Sequence, residues 1–154
     1  MNRFNKFLAA TFLSAAMLFA GAAAQAMPFQ QFDHMAAQDR QDYLNFLVGS
    51  AQKVLKAQDR DADAAKVHRL FTEIRPGDNL PIGEAEFEMN LDNARVRDAE
   101  KAIQNPNAPR VQVESALALT LSKNGIQITP DFVKDFVQLA NTFKPQVPAT
   151  RKKK

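Results

Sequence analysis

From about Gln38 to Ala57 the apolar residues Tyr43, Leu44, Leu47, Val48, Ala51, Val54 and Leu55 recur every three or four positions, which places them along one stripe of an amphipathic helix. Phe46 falls off that stripe. Gly49 lies within the run and weakens a helix by roughly 1 kcal/mol relative to alanine, so a close helix crossing is expected there. A second amphipathic run follows with Ala64, Val67, Leu70, Phe71 and Ile74, and it stops at Arg75-Pro76-Gly77. Proline lacks the N–H that a helix needs and pushes its predecessor out of helical space, so Ile74 or Arg75 should be the last helical residue. The segment from Arg75 to Gly83, with Pro76, Gly77, Asp78, Asn79 and Pro81, reads as the clearest loop in the chain.

Between Ala85 and Leu91 apolar and polar residues alternate, as in a half-buried strand. Helix is nevertheless the expectation there. Ala, Glu, Met and Leu favour helix, no β-branched residue intervenes, and Phe87, Leu91, Ala94, Ala99, Ala102 and Ile103 continue at near-helical spacing toward Asn105-Pro106. A fourth helix is expected to open at Asn107 as N-cap, with Pro109 in its first turn and Val113, Ala116, Leu117, Thr120 and Leu121 on its apolar face. Lys123-Asn124-Gly125-Ile126 supplies its stop, with Gly125 in the left-handed position and Ile126 folding back on Leu121. Thr129-Pro130-Asp131 then opens a fifth helix. Thr129 is the N-cap, Pro130 the first helical residue, and Ile128 is placed to staple onto Val133. Phe132, Val133, Phe136, Val137, Leu139, Ala140 and Phe143 form a broad apolar face that ends before Pro145 and Pro148. About five residues join the last two helices, which predicts an antiparallel or steeply angled hairpin. The pattern thus predicts an all-α fold, a small irregular or orthogonal bundle of about five helices, with no heptad long enough for a regular coiled coil.

The first 26 residues read differently. Arg3 and Lys6 precede an apolar or small stretch from Phe7 to Ala24, and Ala24-Gln25-Ala26 offers small residues where a signal peptidase selects them. Cleavage after Ala26 is expected, leaving residues 27–144 as a single helical domain and 145–154 as a disordered basic tail, in a periplasm or outside the cell. The alternative is an uncleaved anchor, although the stretch is short for a bilayer span. The chain has no Cys, which excludes disulfides, thiol nucleophiles and lipidation of an N-terminal cysteine.

Removing the leader changes the charge picture. The full chain carries 20 basic and 17 acidic residues, but Arg3 and Lys6 leave with the leader and Arg151, Lys152, Lys153 and Lys154 form the extreme tail. The 14 basic and 17 acidic residues of 27–150 give a net charge of −3, too negative to neutralise phosphates, so no nucleic-acid partner is expected. The tail offers weak contact with an anionic surface at best.

Candidate chemistry is sparse. Catalysis by serine needs a base within reach, and the only histidines are His34 and His68. Asp59, Asp61 and Asp63 begin like the D-x-D-x-D of a calcium loop, but Ala64 stands where that loop needs Gly and Leu70 where it needs Glu. They are weak metal candidates, better read as residues that cap and complement the positive start of the second helix. Glu84, Glu88 and Asp92 recur every four residues and would share one face of the third helix. Phe29 and Phe32 precede the first expected helix and either close over the core or face a partner. Together with Arg75, Asp78 and Asn79 of the loop, they are the partner-binding candidates. The leading expectation is therefore a non-catalytic, exported protein without a cofactor that binds a protein or envelope component through a helix face and the Arg75–Gly83 loop. Two alternatives are a carrier of an apolar small molecule or lipid, with Phe71, Phe87, Phe132, Phe136 and Phe143 lining a cavity, and a metal-dependent enzyme.

Overall fold

The computed structural model describes residues 27–108 and 112–144, so the expected leader, Pro109 and the basic tail lie outside the described residues. Among the described residues the fold is an all-α bundle of six helices: α1 (Phe29–Asp33), α2 (Ala37–Ala57), α3 (Asp61–Leu70), α4 (Ile82–Gln104), α5 (Val113–Lys123) and α6 (Pro130–Ala140). Every helix contributes to one core cluster. Phe32, Leu47, Leu55, Phe87, Leu91, Leu117, Leu121, Ile126, Phe132 and Phe136 are its largest fully enclosed apolar side chains.

The long stripe of α2 is buried as its periodicity predicts, from Tyr43 through Leu55. The expected close crossing at Gly49 is absent, since a Cβ there would meet nothing within 4 Å. The stop after α5 takes the expected form. Gly125 has φ +80°, its N–H donates to Ser122 O at 3.1 Å, and the Ile126 N–H donates to Leu121 O at 3.1 Å. Those two bonds satisfy carbonyls that a helix end leaves orphaned. The Thr129 side chain accepts from the Phe132 N–H at 3.1 Å, with Pro130 opening α6.

Several boundaries differ from the sequence expectation. α3 ends at Leu70, four residues early, because the Thr72 hydroxyl donates to His68 O at 2.8 Å and the chain turns to pair Ile74 with Pro81. The residues from Ala85 to Leu91 are helical, and α4 starts earlier, at Ile82, whose N–H donates to Glu73 O at 2.8 Å. α5 opens at Val113 with Gln112 as N-cap instead of Asn107, whose N–H is taken by the Asn105 side chain in a local turn. α6 stops at Ala140, before either proline. The sixth helix is the short α1, which the sequence pattern missed.

The last two helices pack little against each other. α6 packs chiefly against α2 and α5 against α4, while α2 also packs on α3.

Candidate functional site

The first turn of α5 meets the start of the described chain. The Val113 N–H, an orphan donor of the helix start, donates to Met27 O at 2.9 Å, and Pro28 forms an isolated bridge with Gln112. This contact sets the start of α5 and brings Glu114 inward. Glu114 is fully enclosed. Its carboxylate receives the Tyr43 hydroxyl from α2 on Oε1, and the Met27 N–H straddles both oxygens, at 3.3 Å from Oε1 and 3.1 Å from Oε2.

Burial holds the Glu114 carboxyl above the ordinary range, and the bonds from Tyr43, from its own N–H and from Met27 pull it only part of the way back. Tyr43 is pushed far above the ordinary phenol range, first by burial and then by the Glu114 charge and their hydrogen bond. Among the described residues the partners of the Glu114 carboxylate are these neutral donors, and none of them carries a countercharge. Sequence reasoning did not single it out. The available signal was the one charged residue within the largely apolar run from Val113 to Leu121, together with the only tyrosine of the chain on the stripe of α2.

A second feature is an uncovered apolar stripe on α4. Met89, Val96 and Ile103 are 52%, 59% and 86% exposed, and they stand seven residues apart. Seven residues turn a helix through about 700°, within about 20° of two full turns, so the three share one line. The expected apolar face assigned Ala99 and Ile103 to the core. The structure buries Phe87 and Leu91 as expected, but it buries Asn90 and Asp98 in place of Ala99 and Ile103, which stay outside, so the core face of α4 is more polar than expected.

The loop candidates lie beside the start of α4. Residues 72–80 are all exposed, including Ile74 at 57% and Leu80 at 42%. The loop is nevertheless clipped. Arg75 pairs with Glu86 at 2.7 Å, Glu86 accepts from Asn124 at 2.6 Å, and the Asp78 N–H donates to Arg75 O at 3.0 Å beside Gly77 with φ +90°. Asp78 and Asn79 stay open to solvent. Phe29 and Phe32 close over the core, at 7% and 2% exposure, with Phe32 edge-on to Phe87 at 6.3 Å. Neither is therefore open to a partner as the loop is.

The aspartate run is spread out by its backbone. Asp59 has φ +57°, Asp61 and Asp63 fall in the first turn of α3, and Asp63 is bonded by Arg60, which also donates to Gln127 O at 2.7 Å. None of the three caps the helix, since the N-cap is Arg60. No group of three His, Cys, Asp or Glu poised around a metal exists among the described residues. On α4, Arg95 bridges Asp92 and Asp33, the latter at 2.5 Å. Glu88 is raised from its ordinary value, by burial first, with the Arg95 charge opposing. It borders a cavity of about 280 Å³ shared with Phe32, Ala37, Arg40, Gln41 and Leu44.

Of the five phenylalanines considered for a ligand cavity, Phe87, Phe132 and Phe136 are wholly enclosed in the packed core, and Phe71 and Phe143 pack at its edge. An open groove of about 470 Å³ between α2 and α6 is lined by other residues, among them Val54, Ala57 and Leu139. His34 and His68 are exposed, and Ser50 is buried with its hydroxyl donating to Phe46 O at 2.7 Å. No helix among the described residues is long and apolar enough to cross a membrane. No family model, no curated protein and no solved structure matches this chain.

Proposed function

We propose that this is an exported, non-catalytic helical protein, an irregular bundle released after Ala26 into the periplasm or the medium, that holds another protein through the outer face of α4. The observation that supports this reading is the exposed line of Met89, Val96 and Ile103 at seven-residue spacing. Such a line repeats about every 10 Å along the helix and fits the apolar seam of a second helix, where side chains interdigitate at that period. Three large apolar groups left in water on one line mark an interaction surface more readily than the same groups scattered would. Ile74 and Leu80 in the neighbouring loop would add apolar contacts, with Arg75, Asp78 and Asn79 as polar groups at the rim. Export rests on the leader pattern, with Arg3 and Lys6 before the apolar stretch and the small residues at Ala24 and Ala26.

Site-specific photo-crosslinking in the source cells tests the reading. A photoreactive residue at Val96 or Ile103 should join the protein to a defined polypeptide, one at Lys134 on α6 should not, and Ile103→Asp should abolish the adduct at position 96. Adducts that form equally at Lys134, or none at Val96, would overturn it.

A further inference from the structure

We infer that Glu114 is the docking site for the α-ammonium group of Met27, formed when the bond between Ala26 and Met27 is hydrolysed. The inference rests on the reading of residues 1–26 as a cleaved leader. Hydrolysis adds water across that peptide bond, leaving a carboxylate on Ala26 and a free amine on Met27 that takes up a proton at neutral pH. The atom that gains the charge is already in place. Met27 N lies 3.1 and 3.3 Å from the two carboxylate oxygens of Glu114, within ion-pair distance of both.

Three observations converge on this assignment. First, the single hydrogen of a peptide N–H cannot point squarely at two acceptors, whereas an ammonium can direct one hydrogen at each oxygen. Second, Glu114 is fully enclosed and its partners among the described residues are uncharged donors, an arrangement that disfavours the ionised carboxylate and leaves it receptive to a cation. Third, the position of Met27 does not depend on that pair alone. Its carbonyl receives the Val113 N–H at 2.9 Å, Pro28 bridges Gln112, and Phe29 and Phe32 anchor the next turn in the core. The new terminus would thus be held rigidly before its charge appears, so little ordering entropy opposes the pair.

Pairing raises the pKa of an amine. Stability from the pair is then fully present below the unfolded value of about 7.7–8.0 and is lost as pH rises through the folded value. Tyr43, which faces Glu114 from α2, titrates far above that window. Arg110 lies four residues before Glu114 in sequence and is tested by substitution.

The full-length gene is expressed in its source cells and the product is isolated. Its intact mass fixes the first residue, and trace acetylation across pH gives the titration midpoint of the α-amine. The expected result is a chain starting at Met27 whose amine titrates at least about one unit above the ordinary value, a tenfold gain in proton affinity. Glu114→Gln should return the midpoint to the ordinary value, and Arg110→Gln should leave it raised. Insertion of one alanine between Ala26 and Met27 keeps both Glu114 and an N–H on Met27 but moves the amine one residue away, and its midpoint should also be ordinary. A chain starting at Met27 with an ordinary midpoint would overturn the docking site while leaving the export reading intact. A different first residue, or an uncleaved chain, would overturn both.

Discussion

Tyr43 on α2 donates its hydroxyl hydrogen to Oε1 of Glu114 on α5, joining two helices through residues 71 apart in sequence by a bond buried from solvent. The Tyr43 ring is held from the other side. It meets Phe143 edge-on at 4.9 Å and Phe32 at 6.4 Å, so the hydroxyl has little freedom to seek another acceptor. Tyr43→Phe keeps that packing and removes only the donor. The expected cost is about 1.5–3 kcal/mol, as for hydrogen bonds to a charged or partly charged group, because the carboxylate is left less satisfied in a buried place. Urea titration of the variant should show a lower midpoint with an unchanged slope; an unchanged midpoint would mean that water replaces the hydroxyl.

Much of this fold is legible in the chain because its strongest signals are local. The Thr129-Pro130 start and the Gly125-Ile126 stop each involve residues within one helical turn, and both form as expected. Contacts that reach beyond one helical turn are what the pattern misses. The start of α5 depends on Met27, 86 residues away, and the end of α3 on a bridge between Ile74 and Pro81. The core face of α4 departs from its apolar periodicity for the same reason. Asn90 is buried because it donates to Thr120 at 2.8 Å and accepts from Lys123 at 2.9 Å, both on α5. A polar residue satisfied by another helix cannot be told from an exposed one by periodicity, and Glu114 escaped notice on the same ground.

Thr129→Ala removes the one side-chain cap found among the described helices. The Phe132 N–H would lose its acceptor, and the expected destabilisation is about 1 kcal/mol. Thr129→Ser retains the hydroxyl and should recover most of it. Thermal unfolding of the two variants side by side checks the attribution, since loss of the methyl group alone would affect Ser and Ala alike.

Gly49 and Gly83 should respond oppositely to the same change. At Gly49 a methyl group meets nothing within 4 Å, so Gly49→Ala gains helix propensity of about 0.5–1 kcal/mol and raises Tm. Gly83 is where the start of α4 approaches the end of α3.

A Cβ at position 83 would lie 2.8 Å from Cε2 of Phe71 and 2.9 Å from Leu70 O. The ring can rotate away, but the carbonyl belongs to the backbone and moves only if α3 shifts. Gly83→Ala should therefore cost about 1–3 kcal/mol. Phe71→Leu in the same chain relieves only the ring contact, so a double-mutant cycle should recover part of the loss and leave the remainder due to Leu70 O.

Glu114 also determines a pH dependence whose sign follows from its burial. Its folded pKa lies above the ordinary value of 4.5, with burial as the main cause, so between the two values the folded chain binds more protons than the unfolded one. Stability from this group is full below about pH 4.5 and is lost as pH rises through the folded value. A carboxylate held by a strong cation behaves the other way. Glu114→Gln cannot ionise, and the difference in stability between it and the parent chain, measured by urea titration from pH 4 to pH 8, isolates the slope. With Met27 still in peptide linkage the parent should weaken relative to Glu114→Gln as pH rises. With a free ammonium at Met27 the charge of the acid is opposed, its folded pKa is pulled down, and the relative loss shrinks or reverses. Equal slopes in the chain starting at Met27 and in the chain lengthened by one alanine would show that the terminal charge does not reach Glu114.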